Sequence, residues 1–300
     1  MPFVKMRDGQ SIYVRVIGRG QPVLMLPGLG MTSRQWLPFV LPHIGAFRFY
    51  MPDFRGHGRS RKAELNQADV FQNHADDVQD VIAHFQLHDY LLVGISLGAT
   101  TSMHLQRETG FNGVRRYLHI DQSPCVLNDA QWTHGLTGTS QEELFRRMAP
   151  LKRLLDAFPG YEYFDQLPAP AKRDVANALA DMAEVLGVGK IPRAIVRNGF
   201  AKLPSVIVRR IPLMRLRDMA LYLAAYSGGG HDYRATLRAG SVPVTLMYGK
   251  HSPLYHADGQ KLVASNAAES KVVCFERSGH VPLLDEPRKF MREFSRFLRD

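Results

Sequence analysis

Tyr90-Leu91-Leu92-Val93-Gly94-Ile95-Ser96-Leu97-Gly98-Ala99-Thr100-Thr101-Ser102 is the stretch whose reading decides the fold. Residues 90–95 are an apolar run of strand length, and residues 97–108 read as a helix stopped by Gly110. Between them lies Gly-x-Ser-x-Gly, with no room for a loop. A serine on so sharp a turn holds its hydroxyl clear of the backbone, and the neighbouring amides point to where charge would develop on a reacting carbonyl. The two glycines are required because a side chain at either place would clash. The helix that opens after Ser96 adds partial positive charge. Five residues alone are a weak signal. The apolar strand before them and the small residues Ala99, Thr100, Thr101 and Ser102 after them supply the context.

Working outward, residues 3–6 and 12–17 read as a hairpin around Asp8-Gly9. Residues 23–26 form a short strand ending in Pro27-Gly28, and residues 47–51 another ending in Pro52-Asp53. Val70, Phe71, Val78, Val81, Ile82 and Phe85 fall largely on one face of a helix over 69–88. Residues 117–120 are a strand ending in Asp121. Such alternation predicts an α/β fold, a mostly parallel sheet covered on both faces. From 122 to 239 the pattern is helical only (141–148, 171–186, 213–226), which predicts an inserted cap. Alternation then resumes with strands at 244–248 and 271–275 and helices at 258–266 and 288–298. Asp285 is the expected N-cap of the last helix, with Pro287 near its first turn. The expected division is a core of 1–121 and 240–300 with a helical cap of 122–239.

Composition agrees with one core carrying an insertion: 300 residues, 45% hydrophobic and 22% charged. No apolar run reaches the roughly 18 residues of a membrane-spanning helix. Residues 1–10 are mixed and polar, unlike a signal peptide. Cys125 and Cys274, the 2 cysteines, suit a reducing compartment, and a cytoplasmic protein is expected. The net charge of +10 admits nucleic acid, an anionic membrane or an anionic substrate as partner. No nucleic-acid motif accompanies it. The charge gathers between Lys190 and Arg217, where Lys and Arg alternate with apolar residues. A solvated helical face is the plain explanation. A surface that meets anionic lipid or an acidic acyl carrier is the sharper one.

A serine hydroxyl needs a neighbouring base. His280, in Ser278-Gly279-His280, follows the last strand and precedes the last helix, the place of the base in the chain order Ser…Asp/Glu…His. Pro27-Gly28-Leu29-Gly30 follows the third strand and can set the Leu29 amide opposite that of Leu97, as an oxyanion hole.

Four stretches taken together carry a resemblance: Leu26-Pro27-Gly28-Leu29-Gly30, Pro52-Asp53-Phe54-Arg55-Gly56-His57-Gly58-Arg59-Ser60, Gly94-Ile95-Ser96-Leu97-Gly98 and Ser278-Gly279-His280. In their order the chain resembles the α/β-hydrolase superfamily over nearly its whole length, in its serine esterase and non-heme haloperoxidase-like branch. The resemblance implies an eight-stranded sheet, a helical cap after the sixth strand, and no metal or organic cofactor. It gives the 53–60 stretch a role in shaping a loop, so His57 is not assigned a catalytic part. It also exposes a departure. The usual acid lies after the seventh strand, and here Ser252 stands in its place. Serine carries no charge with which to stabilise an imidazolium, and losing that charge costs about 10⁴ in rate in a serine protease. Asp121, at the end of the sixth strand, opens on the same sheet edge and is the best substitute. Asp285, Asp258 and Asp232 fit less well.

The expected enzyme is therefore a serine hydrolase of apolar carboxylic esters or thioesters, with Ser96, His280 and Asp121 catalytic. Gly28, Trp132 and Val281 are the substrate-contact candidates. Phe145, Met148, Leu151, Phe158, Tyr161 and Tyr163 of the insertion point to an apolar acyl or aryl substrate. Two other readings stay open: a ligand-binding, receptor-like protein with weak turnover, favoured by Ser252, and perhydrolase or haloperoxidase-like activity. The sequence leaves the oligomeric state undetermined.

Overall fold

Strands apolar on both faces can be hidden only as the inner layer of a sandwich with helices. The computed structural model, which describes residues 3–67, 69–185, 214–228, 231–267 and 269–300, has that arrangement. Its sheet contains β1 (Phe3–Lys5), β2 (Ser11–Gly18), β3 (Gln21–Leu26), β4 (Phe47–Pro52), β5 (Tyr90–Ile95), β6 (Val114–Ile120), β7 (Val244–Gly249) and β8 (Ser270–Phe275). The order is β1-β2-β4-β3-β5-β6-β7-β8. Strand β2 pairs antiparallel with β1 and β4, and the remaining neighbours pair parallel.

Every residue of β5 is buried, and its side chains alternate between two cores. Leu92 packs on one face with Leu24, Tyr50 and Val78. Leu91, Val93 and Ile95 pack on the other with Val23, Phe49, Phe290 and Phe294. Among the described residues, the helices before β7 are α1 (Leu37–Val40), α2 (Val70–Phe85), α3 (Leu97–Thr109), α4 (Gln141–Asp156), α5 (Ala169–Val185), α6 (Leu216–Gly228) and α7 (Arg234–Ala239). After it come α8 (Ala257–Asn266), α9 (Pro282–Asp285) and α10 (Pro287–Arg299).

Between β6 and β7, the described residues form α4–α7 and no named strand. Leu144, Met148 and Leu151 of α4 share an apolar cluster with Val175 of α5 and Leu223 of α6. Residues 190–213 of the basic stretch lie outside the described residues. Beyond them, Arg215 donates to Glu162, and Arg217 lies 3.9 Å from Glu64. Among the described residues no helix is long and apolar enough to cross a membrane.

Two local expectations are corrected. Helix α2 starts at its Asp69 cap, which accepts from the amides of Phe71 and Gln72, but it ends at Phe85 rather than His88. Gln86 turns left-handed at φ 51° and closes the helix there. Asp285 does not cap the last helix. The short helix α9 intervenes, Glu286 takes the cap position, and the Asp285 carboxylate turns back to accept from the Gly279 amide at 2.8 Å and the Ser278 hydroxyl at 3.1 Å.

His119 and His74 are fully buried. His119 accepts from the Tyr117 hydroxyl at Nδ1 and donates from Nε2 to the Gln122 carbonyl, the pattern of a neutral ring. Burial pushes His119 down to about 4 and His74 down to about 3. An unfolded chain takes up these protons near pH 6.5, whereas the folded one does not. Stability is therefore fully present above about pH 6.5 and is lost as pH falls toward 4. Urea midpoints measured between pH 7 and 4.5 should fall steadily, and His119→Gln should flatten that slope.

Candidate active site

The C-terminal ends of the parallel strands meet at one sheet edge, where the site forms. Ser96 leaves β5 at φ 52° and ψ −119°, a strained conformation for a residue with a side chain. Its amide donates to the Ile120 carbonyl at 3.0 Å, pinning the turn to β6. The flanking glycines are needed. A Cβ on Gly98 would lie 2.2 Å from the Leu26 carbonyl oxygen, and one on Gly94 would lie 2.6 Å from that of Gly98. The start of α3 thus rests directly on the end of β3.

The Ser96 hydroxyl donates to His280 Nε2 at 2.9 Å, and His280 Nδ1 donates to Asp121 Oδ1 at 2.9 Å. The carboxylate only accepts, so the proton on the neutral ring belongs at Nδ1 and leaves Nε2 free to take one. Asp121 is fully buried, with φ 45°. Its amide donates to the Met247 carbonyl, which fixes it beside β7. Its Oδ2 accepts from the Gly249 amide at 2.8 Å, and its Oδ1 also accepts from the Ser252 hydroxyl at 2.8 Å. A Cβ on Gly249 would lie 1.8 Å from the Gly279 carbonyl oxygen, so the loops after β7 and β8 touch backbone to backbone. Asp285 steadies the second of these loops through its bond to Gly279.

On the opposite side, Met31 donates back to the Gly28 carbonyl at 3.0 Å and shapes the loop after β3. Asp53 braces that loop, accepting from the Ser33 amide at 2.6 Å and the Arg59 amide at 2.9 Å. Among the described residues no backbone carbonyl accepts from the amide of Leu29 or Leu97. His57 donates from Nδ1 to the Arg55 carbonyl at 2.8 Å and packs beside Tyr222.

A cavity of about 120 Å³ opens over Ser96, lined by Gly28, Leu29, Met31, Gln35, Ile95, His280, Val281, Leu283 and Leu284. The structure thus brings Ser96, His280 and Asp121 into one hydrogen-bonded series and sets Gly28, Leu29 and Val281 around them, with Leu97 next to Ser96. Trp132 lies elsewhere. Residues 125–132 fold back through the bridges Cys125–Asp232 and Asp129–Trp132. The indole is buried with Tyr233, Tyr248 and Val263, and its N–H donates to the Cys125 carbonyl. Sequence reasoning missed Met31, Gln35, Leu283 and Leu284. The apolar run Val281-Pro282-Leu283-Leu284 after His280 was the available signal for two of them. Thr32-x-x-Gln35, which forms a capping box, was the signal for a third.

Because the Gly98 contact is backbone to backbone, Gly98→Ala forces the elbow to move. It should lower stability by about 1–3 kcal/mol and slow fluorophosphonate labelling of Ser96 by roughly 10²-fold, as read by thermal melts and intact mass.

Comparison with known proteins identifies the family and the fold. The sequence profile of the alpha/beta hydrolase family matches residues 23–293. A pimeloyl-[acyl-carrier protein] methyl ester esterase of Nitrosomonas europaea is 23% identical over 284 residues, covering 95% of this chain and 98% of that protein. A non-heme haloperoxidase of Rhodococcus erythropolis is 35% identical over 130 residues, covering 42% of this chain and 46% of that protein. Among solved structures, the esterase EaEST of Exiguobacterium antarcticum superposes with a TM-score of 0.74 at 20% identity, covering 99% of both chains, a likeness of fold.

Proposed function

The chain belongs to the alpha/beta hydrolase family, and on that premise we propose that it is a serine hydrolase cleaving an apolar carboxylic ester through an acyl-enzyme on Ser96. The observation that carries this is the series Ser96–His280–Asp121, with both links at 2.9 Å. The Ser96 oxygen attacks the ester carbonyl while His280 Nε2 takes its proton. Asp121 holds the ring in the tautomer that can accept and stabilises the imidazolium that forms. The amides of Leu29 and Leu97 donate to the oxyanion. His280 returns the proton to the leaving alcohol, then activates water to release the acid and regenerate Ser96.

Gly28 and Val281, with Leu29, Met31, Leu283 and Leu284, form the substrate's surroundings, and their apolar character suits an acyl or aryl group. In this reading the described helices α4–α7 between β6 and β7 belong to the cap over this edge. An ester or thioester borne on an acidic acyl carrier is the finer reading. The net charge of +10 and the activity of the Nitrosomonas europaea relative support it. Haloperoxidase-like activity has the partial match to the Rhodococcus erythropolis protein in its favour. The receptor-like reading leaned on Ser252 in the usual acid position. With a carboxylate from Asp121 on His280, that support falls away.

Fluorophosphonate labelling followed by peptide mapping tests the core of the proposal. Wild type should label at Ser96, Ser96→Ala should not label, and Asp121→Asn should label about 10⁴-fold more slowly. Equal labelling of wild type and Asp121→Asn would remove Asp121 from the mechanism. For the carrier, kcat/KM on a carrier-borne ester should fall roughly tenfold or more between low and high salt. A neutral ester of the same acyl group should change little. Identical salt curves would rule out the carrier.

A further inference from the structure

We propose that Ser252 is a positioning residue: its hydroxyl aims the Asp121 carboxylate at His280 and helps to hold its charge in a fully buried place. The proposal rests on the Ser96–His280–Asp121 reading and deepens it. A carboxylate with no exposed surface must be compensated by donors. Asp121 has the Gly249 amide on Oδ2, and His280 and Ser252 together on Oδ1. The bond from His280 changes character as the ring takes up and releases its proton. The bond from Gly249 comes from the backbone. Ser252 is thus the fixed side-chain donor, and it binds the same oxygen that faces the imidazole.

The direction of its proton is also determined. The Tyr255 amide donates to Ser252 Oγ at 3.3 Å, and the Ser252 amide donates to the Gly249 carbonyl at 3.2 Å. With the side chain held as an acceptor from Tyr255, its hydrogen is left for Asp121. Ser252 is buried and is not among the residues lining the cavity over Ser96, so it has no part in substrate contact. The titratable groups that face this place are His280 from the loop after β8 and Tyr255 from the loop after β7, their rings 5.7 Å apart. Asp285 lies behind them, on the Gly279 amide.

Removing the hydroxyl takes away a donor that favours the ionised carboxylate. The carboxylate is then held less firmly against His280, and the imidazolium formed in the reaction is less well stabilised. Ser252→Ala should lower kcat roughly tenfold, the rate equivalent of one hydrogen bond to a charged group, with KM unchanged. Ser252→Thr, which keeps the hydroxyl, should restore the rate.

A double-mutant cycle on fluorophosphonate labelling separates this role from a purely structural one. If Ser252 acts through Asp121, Ser252→Ala in an Asp121→Asn background should change the rate less than about twofold. The same tenfold loss in both backgrounds overturns the proposal, as does Ser252→Ala with the rate of wild type. Labelling that persists in Ser96→Ala strikes the Ser96 reading instead, so the two failures are distinguishable.

Discussion

The site depends on one contact made without side chains, the start of α3 lying against the end of β3 at Gly98. The space left there is smaller than a methyl group, since a Cβ would sit 2.2 Å from the Leu26 carbonyl oxygen. That approach lets β5 turn into α3 within a single residue and forces Ser96 into its strained backbone conformation. It also brings Ser96 close to the loop that carries Leu29, since a Cβ on Gly28 would lie 3.4 Å from that of Ser96. In the proposed mechanism the nucleophile and both oxyanion donors depend on it. The strain is tolerated because the Ser96 amide is bonded to β6 and the helix behind it is buried on every side from Leu97 to Gln106.

A second constraint is electrostatic. A base that becomes an imidazolium needs a nearby negative charge, and a buried negative charge needs donors. Strands β6 and β7 pair parallel, with Ile120 opposite Met247, so residue 121 and the loop from Gly249 to Ser252 lie side by side. An acid from either strand end can therefore serve the same histidine. Here the charge comes from β6, and the β7 loop contributes a backbone amide and a hydroxyl that hold it. Asp285 gives similar support to the His280 loop, so each residue of the series is fixed by a neighbour with no direct part in the chemistry.

The surroundings decide what this chemistry acts on. Over Ser96 the lining is mostly apolar, with Leu29 and Leu284 exposed near its rim. Burial of an ester's hydrocarbon there gains by the hydrophobic effect, roughly 25 cal/mol per Å² of apolar area. In the proposed mechanism this lining and the helical segment between β6 and β7 set specificity, because a fold alone does not fix a substrate.

The sequence by itself determined the strand–helix alternation, the helical segment after β6 and the residues put forward for chemistry. Each has a local signature: period-two or helical spacing of apolar residues, or glycines fixed two positions from a serine. Ser96, His280 and Asp121 were legible because each ends or follows a strand and so falls on one edge of a parallel sheet. Only the tertiary structure decided the end of α2 at Gln86, the turn of Asp285 toward Gly279, the burial of Trp132 away from the cavity and the contact of Ser252 with Asp121. These outcomes depend on which distant segment supplies a partner. A hydrogen bond between residues 131 positions apart leaves no periodicity in the chain. Local pattern fixes the elements and their order, whereas the choice of partner for each polar group is made when those elements pack.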